Sequence, residues 1–336
     1  MIHNRLMQII LGFAFIYSLL TFQLFGQVVT PGLNIIAKPI MPAASGWSKI
    51  NSVGGEYKDG NGKRKLDGDD IYNLEVEGST GIVGLSMGNV DIDAYIDEAR
   101  FDTKNDATSD ATSDGDYIND YSETYISLSL TGEGDVIVGA AIHELTKSIF
   151  SASNGDEDVR IKQSGLIGSF SVKVFESVFL GGGVERISET SSLTLDNEWT
   201  NATAGIAFWF GQETDSQFRV EASVTESPKA EKAADPDDTK SSAYHPNSRT
   251  NRINLDLMIN GLLFSYANIS QITSQEITNS STGESVDKSE TSINEGSVQW
   301  IPEEGMILGF AFKSFVHKEI YEENIDSFKI NLGFIF

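Results

Sequence analysis

The sequence predicts an all-β fold, a transmembrane antiparallel β-barrel of about fourteen strands with an amino-terminal plug segment, and three observations predict it. Segments of about ten residues alternate apolar and polar side chains along most of the chain. The connections between them alternate short and long. Beyond the first residues, no apolar run approaches the roughly 20 residues that a membrane helix needs, so any membrane span must be made of strands.

The carboxy terminus shows the alternation most plainly. Phe328, Ile330, Leu332, Phe334 and Phe336 fall on one face, and Ser327, Lys329, Asn331 and Gly333 on the other, because successive side chains of a strand point to opposite sides. The same pattern sets Ile253, Leu255, Leu257 and Ile259 against Asn254 and Asp256, and Phe218, Val220 and Val224 against Arg219, Glu221 and Ser223. Further copies oppose Ile126, Leu128 and Leu130 to Ser127 and Ser129. Others oppose Phe170, Val172 and Val174 to Ser169, Ser171 and Lys173, and Met306, Leu308, Phe310 and Phe312 to Gly309, Ala311 and Lys313. A soluble sandwich also alternates, but its turns are of mixed length.

Here short connections (residues 88–89, 132–135, 175–177, 211–216, 260–261 and 302–305) are separated by longer polar stretches. Those are residues 58–69, 103–119, 151–158, 189–196, 227–248 and 278–287, with a shorter one at 319–322. A periplasmic carboxy terminus puts all the short turns on the periplasmic side, as bacterial barrels require. The first strand is expected near residues 47–57. The second, near residues 71–87, changes its apolar face at Gly78-Ser79-Thr80-Gly81, which predicts a bulge.

Domain organisation follows. Residues 1–27 read as a secretory signal peptide, with Arg5 before an uncharged apolar stretch and an exit near Gly26 or Gln27. Residues 28–47 carry no strand pattern, contain Pro31, Pro39 and Pro42, and hold apolar side chains suited to burial. They are expected to plug the lumen. Residues 48–336 form the barrel, and the bacterial outer membrane is the expected location. The absence of cysteine leaves no disulfide and no lipid anchor through a thiol. A net charge of −25 excludes nucleic acid as a partner. The expected partners are outer-membrane lipid and lipopolysaccharide, the barrel-assembly machinery and a hydrophobic small-molecule ligand; no cofactor is expected.

The inward positions are the candidate functional residues. Asp91, Asp93, Lys173, Glu185, Arg219, Glu221, Asp256, Lys313 and Lys329 are expected to face the lumen, pairing as an internal network or setting ion selectivity. Many other inward residues are small, including Gly181, Gly183, Gly205 and Ala207. An enzyme is not expected. His143-Glu144 lacks the second histidine of a zinc-protease motif, because Lys147 stands there. A pairing of His143 with Ser148 or Ser151 is set against the reading of a solvated histidine on a rim loop. Residues 106–116 repeat a carboxylate-rich unit but do not match a calcium-loop spacing, so metal binding is left unassigned and the segment is read as a solvated loop.

Strand number and plug together resemble the FadL/TodX family of outer-membrane transporters for fatty acids and other hydrophobic compounds. That family carries Asn-Pro-Ala between plug and first strand; here Met41-Pro42-Ala43-Ala44 occupies the comparable place, with methionine instead of asparagine. The resemblance implies a plug built around Pro39, Pro42, Ala43 and Ala44 and passive uptake of hydrophobic compounds. A general or charge-selective diffusion porin, or a structural barrel without a transport role, remains the alternative. The aromatic end, Phe334 and Phe336, resembles the signal by which outer-membrane barrels are recognised for assembly.

Overall fold

The fold is described from a computed structural model, covering residues 28–29, 41–47, 50–66, 69–105, 117–132, 135–151, 157–192, 196–212, 216–228, 247–279, 283–318 and 322–336. The expected signal peptide, Pro39 and the acidic 106–116 stretch lie outside the described residues.

A short 3-10 helix (Pro42–Trp47) precedes fourteen strands. They are β1 (Ser52–Leu66), β2 (Asp69–Met87), β3 (Val90–Asn105), β4 (Tyr117–Thr131), β5 (Val136–Ser151), β6 (Glu157–Phe175) and β7 (Val178–Ser191). The second half comprises β8 (Asn197–Phe210), β9 (Ser216–Ser227), β10 (Asn247–Ile259), β11 (Leu262–Asn279), β12 (Gly283–Trp300), β13 (Gly305–Lys318) and β14 (Glu322–Ile335). Every strand pairs antiparallel with its sequence neighbours, and β1 pairs with β14 from Ser52↔Ile335 to Lys65↔Glu322. Closure leaves no unpaired edge, which a lipid environment would penalise heavily. Among the described residues no helix is long and apolar enough to cross a membrane.

One face of each strand supplies an exposed apolar belt. Ile253, Leu255, Leu257 and Ile259 of β10, Met306 and Phe310 of β13, and Phe328, Leu332 and Phe334 of β14 all stand on the outside. From Phe328 to Phe336, residue steps of about 3.3 Å tilted by about 40° give a belt height of roughly 20 Å. Above it the outer face turns polar, with exposed pairs such as Lys104–Glu75 and Arg186–Glu198. Phe310, stacked on Phe328 with centroids 6.0 Å apart, sits well inside the belt. Phe310→Arg is expected to cost about 2–4 kcal/mol of barrel stability, read as a lower urea midpoint in lipid vesicles; an unchanged midpoint would take this face out of the bilayer.

Four sequence expectations are corrected. Residues 58–69 and 278–287 are not loops: β1 runs to Leu66 and pairs with β2 down to Leu66↔Asp69, and β11 meets β12 at Asn279↔Gly283. The first strand starts at Ser52, and Trp47 belongs to the 3-10 helix. Nor does Gly78–Gly81 form a bulge, since its register is unbroken from Lys58↔Gly78 to Gly55↔Gly81 and against β3. These share one cause. The ladder continues above the belt, where the outer face carries Glu75 and Glu77 while Leu74 and Val76 point inward and are buried. The apolar face changes sides without any change in the backbone.

The short turns are tightly built. Asn260 (φ 51°) and Gly261 (φ 78°) form a two-residue hairpin with both central residues left-handed, the combination whose twist matches the strands it joins.

Candidate functional site: the lumen

Inward side chains are arranged in bands. At the short-turn end an apolar cluster joins Phe179, Trp209, Leu263, Ile301, Ile307 and Ile335. Val28, Val29 and Met41 belong to the same cluster and are almost fully buried. The described residues 28–29 and 41–47 therefore lie in this half of the lumen. The Ala43 N–H donates to Ser169 Oγ at 2.9 Å, and Trp47 Nε1 donates to Ser171 Oγ at 2.8 Å. The Trp47 ring meets Phe179 edge-on at 5.1 Å. Glycines make the room: a Cβ on Gly139 would stand 2.5 Å from Ala43 N, and one on Gly183 2.8 Å from Met41 Sδ. Of the residues expected in the plug, Pro42, Ala43 and Ala44 are buried in the 3-10 helix and Pro39 lies outside the described residues.

Charges form a middle band. Arg219 pairs with Glu221 and, at 2.8 Å, with Asp256; all three are buried. Lys329 bridges Glu56 of β1 (3.1 Å) and Glu295 of β12 (3.0 Å). Lys58 pairs with Asp97, which also accepts from Thr80 Oγ1 at 2.6 Å. Asp91 and Lys313 are buried, and Asp93 accepts from Ser127 Oγ at 3.3 Å. Lys173 stands apart at the short-turn end, its Nζ 5.9 Å from the Phe179 ring centre.

His143 needs a correction, because it lies mid-strand in β5, 9% exposed and inside the barrel, not on a rim loop. Its Nε2 stands 2.7 Å from Glu185 Oε1 and its Nδ1 3.6 Å from Glu123 Oε1. Gly165 opposite it leaves the space, since a Cβ there would fall 1.8 Å from Nε2. Ser148 is on the other face of the same strand and does not face His143. Among the described residues no group of three or more carboxylates or histidines is arranged to hold a metal ion.

Above the charges lies a second apolar band, which includes Leu74, Phe101, Leu145, Ile293, Phe315 and Ile325. Sequence reasoning missed it, along with Lys58, Asp97, Glu56 and Glu295. The available signal was parity: Ile325 shares a face with Lys329 and Asn331, and Phe315 with Lys313 and Ala311, so an apolar residue recurring on the polar face marks a lumen that changes character with height.

No family model matches the sequence, and no curated protein is significantly similar to it. Solved structures are similar in shape. The CymD monoaromatic hydrocarbon channel superposes with a TM-score of 0.57 at 10% identity, covering 88% of this chain and 91% of that one. The chain shares its fold with hydrocarbon-channel barrels. The Ralstonia pickettii toluene transporter TbuX gives 0.55 at 10% identity, and a Pseudomonas aeruginosa FadL homologue 0.54 at 9%, each covering 88% of this chain and 92% of its own. At identities of 9–10% the likeness is one of fold.

Proposed function

We propose that the protein is an outer-membrane channel for passive uptake of hydrophobic compounds, with fatty acids and monoaromatic hydrocarbons as the candidate classes. One observation carries this reading. The apolar band around Phe101, Phe315 and Ile325 lies above an apolar cluster in which Val28, Val29 and Met41 are buried. A water-filled pore for ions would line its length with solvated charge. Here the charges pair with one another instead, as in Arg219–Asp256 and Lys329–Glu295. The segment acts as a plug that keeps ions from crossing, and the apolar band receives the compound from outside. In this reading residues 1–27 are removed on export, and outer-membrane lipid, lipopolysaccharide and the assembly machinery are the partners. The structural neighbours named as hydrocarbon and toluene transporters support the same class.

The test uses Trp199, which is 8% exposed and packs on Ile187 near the upper band. Brominated fatty acid added to the purified protein should quench tryptophan fluorescence saturably, and mass spectrometry should find retained detergent or lipid. No quenching, together with a stable ion conductance biased by charge, would support the diffusion-porin alternative and end this reading.

Assembly gives a second expectation. Phe336 is outward and its N–H donates to the Asn51 carbonyl at 3.2 Å, tying the chain end to the start of β1. Deleting Phe336 should lower the folded fraction in the outer membrane severalfold, while deleting residues 229–246 should leave it nearly unchanged. Equal yields of heat-modifiable barrel from the two variants would remove Phe336 from any role in assembly.

A further inference from the structure

One buried carboxylate holds the backbone at Val28 and Val29. The Val28 N–H donates to Glu221 Oε1 at 2.9 Å and the Val29 N–H to Oε2 at 3.2 Å, so one carboxylate engages two successive backbone nitrogens with both oxygens. Ser171 Oγ donates to the Val29 carbonyl at 2.6 Å. The floor is glycine: a Cβ on Gly205 would lie 2.8 Å from Val29 Cγ2, and one on Gly181 3.3 Å from Val29 Cα. Val28, Val29 and Glu221 are each 0% exposed. A buried carboxylate set against two successive backbone nitrogens is also placed to take an ammonium at the first of them, since it accepts charge-assisted hydrogen bonds more strongly than neutral ones. Glu221 also faces Arg219, which it shares with Asp256; an ammonium at the chain end gives Glu221 a second cation and lowers the cost of burying two carboxylates around one guanidinium.

We infer that export leaves the new amino terminus at Val28 and that Glu221 captures its α-ammonium inside the barrel. The inference rests on the export reading above. An export peptidase hydrolyses the bond before Val28 with water; the departing leader keeps the new carboxylate, and the freed amine takes up a proton at neutral pH. The cut thereby creates the charge that Glu221 binds, and removal of the leader is coupled to seating the segment in the lumen.

The test is acetylation of the purified, folded protein with an amine-reactive ester at neutral pH, read by peptide mass spectrometry. Lys104 and Lys318, whose side chains are 52% and 58% exposed, serve as internal references. The first peptide should begin at Val28, with its α-amine labelled at least tenfold more slowly than Lys104. Heating to unfold the barrel should abolish that protection. Glu221→Gln should restore labelling in the folded state, whereas Asp256→Asn, which leaves the chain-end contacts in place, should not. If Glu221→Gln does not assemble, insertion of two alanines between Gln27 and Val28 should move the amine out of the site and make it as reactive as Lys104. A terminus anywhere else, a terminus blocked by cyclisation of Gln27, or an α-amine as reactive as Lys104 in the folded barrel would overturn the capture. A first peptide at Met1 would instead sink the export reading, and none of these outcomes depends on what crosses the lumen.

Discussion

Deleting residues 28–44 is expected to turn a non-conducting barrel into an open pore, with single-channel conductance in planar bilayers rising at least tenfold. The reason is size. Fourteen strands about 4.8 Å apart and tilted by about 40° close at a backbone radius of roughly 14 Å. Side chains reach inward by about 5 Å, which leaves a bore of roughly 18 Å for something else to fill. In the short-turn half the inner wall is unusually thin, with Gly139, Gly181, Gly183 and Gly205 beneath Val29, Met41 and Ala43. Without the segment those glycines become bare backbone beside water, and a continuous ion path follows. Conductance unchanged by the deletion, with the segment readily cut by protease in the intact protein, would place it outside the lumen and end the plugged-channel reading.

Arg219→Met is expected to have the largest effect on stability of any single lumen substitution, a loss of about 3–5 kcal/mol. The side chain is 1% exposed and lies between Glu221 and Asp256 on neighbouring strands. Removing the guanidinium takes away the cation that two buried carboxylates share, and the Val28 and Val29 N–H groups on Glu221 offset only part of that loss. Urea unfolding in vesicles, followed by tryptophan fluorescence, gives the measurement. Arg186→Met is the comparison, since Arg186 pairs with Glu198 on the outer surface with both side chains more than half exposed; it should leave the midpoint unchanged. Equal shifts for the two variants would mean that the Arg219 network is solvated.

Some of this was legible in the chain. Strand count, antiparallel order and the lipid-facing side of β6, β9, β10, β13 and β14 follow from period-two alternation, because a bilayer demands an unbroken apolar face for the height of the belt. Above the belt that demand ends. The polar ends of β1, β2, β11 and β12 therefore looked like loops, although the ladder of Lys63↔Asn73 and Ser274↔Lys288 continues through them. Hydrogen bonding between strands holds these segments, and it leaves no periodic mark on side chains that meet water outside.

By itself the sequence determined a closed sheet of about this size and the sides of its strands, since each follows from local alternation and from counting. Only the tertiary structure decided which inward residues meet. Glu221 finds Val28 across 193 positions of chain, Arg64 finds Glu323 across 259, and His143 comes to lie between carboxylates of β4 and β7. Those meetings depend on register and closure around the whole barrel, which place residues from distant strands at one height. Alternation says which way a side chain points, and the barrel's geometry says what it faces.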